Sequence, residues 1–260
     1  MNKLKTAFDH GKAAVTFLTC GDPDLDTTAA AIRTAVENGA DLIELGIPFS
    51  DPTAEGAVIQ EASLRALKNG ITTDRVFEFV RELRKDVTVP MVFVTYANVV
   101  YSYGAERFLS ACRDIGADGL ILPDLPYEEK EEFLSVCRKY DVALISTVTL
   151  VSKKRIPMIA EEAEGFLYVL ANGGGSRTAD EACAALEEVM KTVRECTDIP
   201  CAVDFAYTSP EQAGRFAALA DGVIASSDAV KLLAEHGSAA PAYIGEYVHA
   251  LKEKMNSDGE

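Results

Sequence analysis

Eight short apolar runs recur along the chain, at residues 14–20, 41–47, 91–96, 119–123, 143–148, 166–170, 201–205 and 223–225. Each is near-continuously hydrophobic and rich in β-branched residues rather than alternating, which is the pattern of parallel strands buried on both faces. Between the runs the period lengthens to that of a helix. Residues 27–38 put Ala31, Ala35 and the Ile32/Val36 pair on one side, and in 74–85 Val76, Phe77, Val80 and Leu83 recur three and four residues apart. Segments 105–115, 128–140, 179–195, 210–220 and 240–254 read likewise. The junctions repeat as well: Asn38-Gly39-Ala40-Asp41 and Ile115-Gly116-Ala117-Asp118 are near copies, and Leu219-Ala220-Asp221-Gly222 is a relative. A glycine just past a helix tolerates the left-handed conformation that ends it, and a strand follows at once. Strict alternation leaves two α/β architectures, an open doubly wound sheet or a closed (β/α)₈ TIM barrel, and eight strands built from one reused unit favour the barrel.

Composition changes this picture little. At 260 residues with 48% hydrophobic content, a large core is available, and no linker or low-complexity stretch divides the chain. The expectation is one TIM-barrel domain over 1–260, with 1–12 as an N-terminal segment or helix and 256–260 frayed. A formal net charge of −16 opposes nucleic acid or an anionic membrane surface as partner. No apolar stretch approaches the roughly 20 residues of a membrane span, and residues 1–12 lack a signal-type apolar run, so a cytoplasmic location is expected. Cys20, Cys112, Cys137, Cys183, Cys196 and Cys201 are scattered without CxxC spacing, and His10, His236 and His249 stand apart. That pattern reads as reduced thiols rather than disulfides or a zinc site, with Cys20 and Cys201 as packing residues.

In a barrel, chemistry collects at the carboxyl ends of the strands. Those ends carry Thr19-Cys20-Gly21-Asp22, Tyr96-Ala97-Asn98, Pro123-Asp124, a glycine-rich stretch from Ala171 to Arg177, Asp204-Phe205-Ala206 and Ser226-Ser227-Asp228. Glu44 is the anomaly, because it lies inside the hydrophobic run Leu42-Ile43-Glu44-Leu45-Gly46. Burying an unpaired carboxylate costs several kcal/mol, so its pKa should rise, and a carboxyl tuned toward neutrality suits general acid–base work. The other reading of Glu44 is structural, tied to strand-end backbone or an arginine. Pro48-Phe49-Ser50-Asp51-Pro52-Thr53-Ala54-Glu55-Gly56 follows as a proline-stiffened loop long enough to fold over a substrate. Glu55 either faces that substrate or begins the next helix, whose dipole welcomes a carboxylate.

The segment Ile43-Glu44-Leu45-Gly46-Ile47-Pro48-Phe49-Ser50-Asp51-Pro52 resembles the signature of the tryptophan synthase alpha chain family. Thr19-Cys20-Gly21-Asp22-Pro23, Thr95-Tyr96-Ala97-Asn98, Tyr103-Gly104, the stretch Gly119-Leu120-Ile121-Leu122-Pro123-Asp124-Leu125-Pro126 and Ser209-Pro210-Glu211-Gln212 match it in order. The resemblance implies a (β/α)₈ barrel that cleaves indole-3-glycerol phosphate to indole and glyceraldehyde 3-phosphate, without metal or organic cofactor. It also implies a beta-chain partner, met through Asp51 with Pro48 and Phe49. Glu44 would protonate the indole carbon whose bond breaks. Glu55, standing where the family has aspartate, would accept the indole N–H proton. Phe17, Tyr96 and Tyr168 would line an apolar indole pocket, although ordinary core or rim packing would also explain those aromatics. Gly174, Ser176, Arg177, Ala206, Ser226 and Ser227 would meet the phosphate end.

That phosphate end departs from the family. Glycines expected in the turns after strands seven and eight are replaced, and Asp204 and Asp228 stand there instead. Asp228 is expected to cap a helix over 229–235 with its own side chain, taking the N-terminus an anion would use. A carboxylate ~4 Å from one phosphate charge costs roughly 4 kcal/mol at an effective dielectric of about 20. Arg177 runs the other way, as a clamp for phosphate or a partner for Asp204 or Asp228. Two rival readings therefore stand beside the lyase: a barrel acting on a substrate without phosphate, and a catalytically degenerate alpha chain that regulates a beta chain.

Overall fold

A computed structural model describes residues 3–150, 154–171, 178–205 and 208–257. Its strands are β1 (Ala13–Thr19), β2 (Leu42–Gly46), β3 (Met91–Val94), β4 (Gly119–Ile121), β5 (Ala143–Leu144), β6 (Ser146–Thr149), β7 (Leu167–Leu170), β8 (Cys201–Asp204) and β9 (Gly222–Ala225). They form one sheet in the order β5-β4-β3-β2-β1-β9-β8-β7-β6, and every described pairing is parallel. The run expected as a single fifth strand is divided at Ile145, because β5 ladders onto β4 while β6 ladders onto β7. The two edges of the sheet are thus neighbouring residues of one chain, and the ring closes covalently. Ile145 still donates its N–H to the Leu120 carbonyl at 2.9 Å. Eight staves result, as the pattern predicts.

Twelve α-helices accompany the strands among the described residues: α1 (Lys3–Thr6), α2 (Leu25–Glu37), α3 (Ala57–Lys68), α4 (Thr73–Leu83), α5 (Ala97–Tyr103), α6 (Ala105–Ile115), α7 (Glu131–Lys139), α8 (Ile156–Glu161), α9 (Ala179–Cys196), α10 (Pro210–Leu219), α11 (Ser227–His236) and α12 (Ala240–Ser257). Every predicted periodic segment is helical, while α3, α5 and α8 arise outside those segments. At the chain end, α12 carries Asn256 and Ser257, two residues expected to fray, and 258–260 lie outside the described residues. The motif Ser209-Pro210-Glu211-Gln212 has a local cause. Ser209 caps α10, with its hydroxyl accepting from the Gln212 N–H and the Gln212 side chain returning the bond to the Ser209 N–H.

Strand side chains alternate between two apolar environments, which explains why the runs are continuously hydrophobic. Val15 and Phe17, Leu42, Val92 and Val94, Ile121, Ile145, Phe166 and Tyr168, Ala202 and Ile224 fill the inside of the ring. Their neighbours Leu18, Ile43, Leu45, Phe93 and Leu120 on one side, and Val148, Val169, Val203 and Val223 on the other, pack outward against helices. Leu4 and Ala7 belong to the inner cluster, and the Phe8 ring lies 5.7 Å from that of Phe166. The N-terminal segment therefore floors the barrel. All six cysteines are free, and Cys20, Cys112, Cys137 and Cys201 are buried.

Gly222 shows how tight the ring is. It pairs with both Ala13 and Ala202, and a Cβ there would stand 2.7 Å from the Ala13 carbonyl oxygen. Backbone cannot yield as a side-chain tip does, so Gly222→Ala is expected to destabilise the fold by about 1–3 kcal/mol, read as a lowered midpoint of urea unfolding.

Candidate active site

Glu44 is the central residue of β2 and shares its inward parity with Leu42. Its ladder partners are Phe17 on β1 and Val92 on β3, so it projects into the ring. It is 1% exposed, and neither carboxyl oxygen has a hydrogen-bond partner among the described residues. Burial pushes its pKa well above the ordinary value, and the charges of Asp204 and Glu55 push it further. The structural alternative, a Glu44 tied to backbone or arginine, is not what the described residues show. Phe17 stands beside it in the space Gly46 leaves open, for a Cβ on Gly46 would lie 2.7 Å from the ring.

Glu55 comes to the same mouth on a braced loop. Thr53 N–H donates to the Asp51 carbonyl at 2.8 Å and Glu55 N–H to the Pro52 carbonyl at 3.0 Å. The Ala54 N–H donates to the Tyr96 hydroxyl at 2.9 Å, and the Phe49 ring packs 5.2 Å from the Tyr96 ring. Tyr96, expected as pocket wall within strand three, lies past the end of β3 at the N-cap of α5. Its hydroxyl anchors the loop that carries Glu55. Asp124 supports the same corner, accepting from the Ala97 N–H at 3.0 Å. Gly56 caps α3, which starts at Ala57, so Glu55 stands outside the helix rather than opening it. Half-buried there, its carboxyl is lifted to about 7, first by desolvation and then by the Asp204 charge.

Across the mouth, Tyr168 on β7 donates its hydroxyl to Asp204 Oδ2 at 2.6 Å, and Ser226 donates to Oδ1 at 2.9 Å. Tyr168 feels the charges of Asp204, Glu44 and Glu55, which places all three acids around one ring. Ser226 and Ser227 are both buried at the start of α11. Gly174, Ser176, Arg177 and Ala206 lie outside the described residues. Asp228 corrects an expectation. Its helix begins at Ser227 with Ser226 at the N-cap, so Asp228 sits within the first turn and does not cap it. Its carboxylate instead accepts from the Thr208 N–H at 2.6 Å, with the Tyr247 hydroxyl at 3.4 Å. In the proline loop, Asp51 is exposed and Phe49 half-buried, whereas Pro48 is buried, so of the three expected interface residues only Asp51 and Phe49 reach the surface, beside the exposed Ser50, Thr53 and Ala54.

Sequence reading missed two features of this region. One is the hydrogen-bonded set Tyr168–Asp204–Ser226, which the period-two parity shared with Phe166, Ala202 and Ile224 could have brought to one interior. The other is Asp22, wholly buried behind the mouth and held by Arg65 of α3 through two bonds at 2.7 and 2.8 Å. No described group of three or more His, Cys, Asp or Glu side chains has the arrangement to hold a metal ion. No helix among the described residues is long and apolar enough to cross a membrane.

Residues 4–257 match the family described as "Tryptophan synthase alpha chain". The alpha chain of Lacticaseibacillus casei is 40% identical over 257 residues, covering 99% of this chain and 97% of its own length. The chain belongs to the tryptophan synthase alpha chain family. Among solved structures, tryptophan synthase subunit alpha from Legionella pneumophila superposes with a TM-score of 0.88 at 31% identity, over 98% of this chain and 99% of that one. A structure from Aquifex aeolicus VF5 reaches 0.89 at 35% identity, with 98% and 99% covered. The sheet closes into a (β/α)₈ barrel with the fold of these solved structures, and in this chain Glu44 and Glu55 stand at its mouth.

Proposed function

We propose that this chain is the lyase its family name implies, cleaving indole-3-glycerol phosphate to indole and glyceraldehyde 3-phosphate for tryptophan biosynthesis in the cytoplasm. A beta chain, docked over Asp51 and Phe49, receives the indole. One observation carries this reading: a carboxyl group buried inside the ring, with no hydrogen-bond donor among the described residues, lies close to a second carboxyl poised near neutrality. Two acids of unlike environment are what a retro-aldol cleavage needs.

Glu44, held neutral by burial, delivers its proton to the indole carbon that bears the side chain. Positive charge develops at the ring nitrogen, and the Glu55 carboxylate takes up the N–H proton. The carbon–carbon bond then breaks. Its electron pair passes into the ring, Glu55 returns the proton to nitrogen, the side-chain hydroxyl becomes the aldehyde carbonyl, and its proton restores Glu44. No proton is left over. A pKa of about 7 lets Glu55 both take and return a proton at neutral pH. Phe17 supplies apolar wall beside Glu44, and Ser226 and Ser227 stand at the phosphate end.

Release of indole from indole-3-glycerol phosphate by the purified chain tests the assignment. The kcat/KM profile is expected to rise through an acid limb near pH 7, where Glu55 loses its proton. Absence of indole, alone and with a beta chain added, would reject the reaction.

A further inference from the structure

The proposed reaction uses two of the three carboxyl groups whose charges reach Tyr168. Asp204 is the third. It ends β8, laddered to Leu170 of β7 and Ile224 of β9, and each of its oxygens receives one hydroxyl: Tyr168 at 2.6 Å and Ser226 at 2.9 Å. Glu44 receives none from the described residues at either oxygen. Donors stabilise an ionised carboxylate, whereas desolvation without donors favours the neutral acid, and two neighbouring carboxyls resist ionising together. Burial raises the pKa of Asp204 as well, but its two hydroxyls pull it back down, and Glu44 has no such donors among the described residues, so the charge settles first on Asp204, with the proton left on Glu44. The Tyr168 hydroxyl lies near enough to Glu44 to feel its charge, yet its single proton is committed to Asp204.

We propose that Asp204 is a positioning residue for the lyase reaction: held by Tyr168 and Ser226, its carboxylate keeps Glu44 in the acid form from which a proton can be delivered. The inference rests on the reading of Glu44 as the proton donor. Other ionisable groups face this arrangement from the surrounding elements. Glu55 comes from the loop before α3, Tyr96 and Asp124 stand around Glu55 from the ends of β3 and β4, and Tyr247 of α12 with Asp228 of α11 stand behind Asp204. Burial and the Asp204 charge act on Glu44 in the same direction, as this role requires.

Asp204→Asn, nearly the same shape without the charge, is the test, with two readouts. One is the pH dependence of kcat for indole release. The other is the infrared titration of the Glu44 carboxyl band, assigned by difference from Glu44→Gln. The variant is expected to move the alkaline limb of kcat, and the Glu44 titration with it, down by about one pH unit, so that kcat on the alkaline side falls roughly tenfold. Tyr168→Phe, which withdraws one donor from Asp204, is expected to shift both in the same direction by less, and it carries the comparison should Asp204→Asn not fold. A limb and a Glu44 titration that stay in place in the folded variants overturn the proposal. If the wild-type chain releases no indole, the reaction assignment fails by itself, while the infrared titration still decides whether Asp204 governs the protonation of Glu44.

Discussion

Glu44→Gln is expected to lower kcat for indole release by roughly 10²–10⁴-fold, the range of a lost general acid, while the barrel stays folded. Glutamine keeps the shape of the side chain, and its amide has no acid proton to give. The same variant should remove a pH effect on stability. Because the folded-state pKa of Glu44 lies well above its ordinary value of 4.5, the unfolded chain loses that proton first as pH rises. The folded state then binds more protons than the unfolded state, so wild-type stability falls as pH climbs from about 4.5 toward the folded value. Glutamine does not titrate and escapes this loss. Thermal unfolding of the two proteins from pH 4 to 8.5 should therefore show a gap that opens with pH in favour of the variant. A kcat within tenfold of wild type would remove Glu44 from the chemistry, and a constant gap would contradict its burial as a neutral acid.

Arg65→Ala is expected to be the most damaging single change outside the mouth, at about 3–5 kcal/mol. That corresponds to a fall of roughly 10 °C in Tm for a chain of this size. Asp22 has no exposed side-chain surface and Arg65 is 33% exposed, so the two halves of the pair are not equivalent. Removing the arginine strands a charge where water cannot reach it. Removing the aspartate leaves a guanidinium that can turn toward solvent, so Asp22→Ala should cost less than Arg65→Ala. Comparing the two variants by thermal unfolding at pH 7.5 checks the ranking, and the reverse order would sink the argument. Because Arg65 lies on α3, directly after the Glu55 loop, loss of the pair should also loosen the element that sets Glu55.

The strands were legible because both of their faces meet apolar layers, leaving runs such as Met91-Val92-Phe93-Val94 with no polar interruption. The division at Ile145 was not, since nothing in Ala143-Leu144-Ile145-Ser146 marks where one ladder stops and another begins. α3 stayed hidden because, apart from Ile59, its buried face is made of the small residues Ala62, Ser63 and Ala66, which contrast weakly with their neighbours. α5 and α8 span only seven and six residues, too short to establish a period. Glu44 was visible as a charge inside an apolar run. The roles of Tyr96, Tyr168 and Asp204 depend on partners 42 and 36 positions distant, and spacing along the chain does not reveal such pairs. Asp228 was misassigned because the start of α11 was placed two residues late, which turns a residue of the first turn into a cap.

The floor laid by Leu4, Ala7 and Phe8 has a consequence for traffic. A vessel stoppered at its base empties at its other end, so on the proposed reaction what forms beside Glu44 departs toward the mouth, where the loop of Phe49 and Asp51 stands. Anything seated on that rim meets the departing molecule before bulk water does. The proposed handover to a beta chain would then follow from the way the stave ends are plugged.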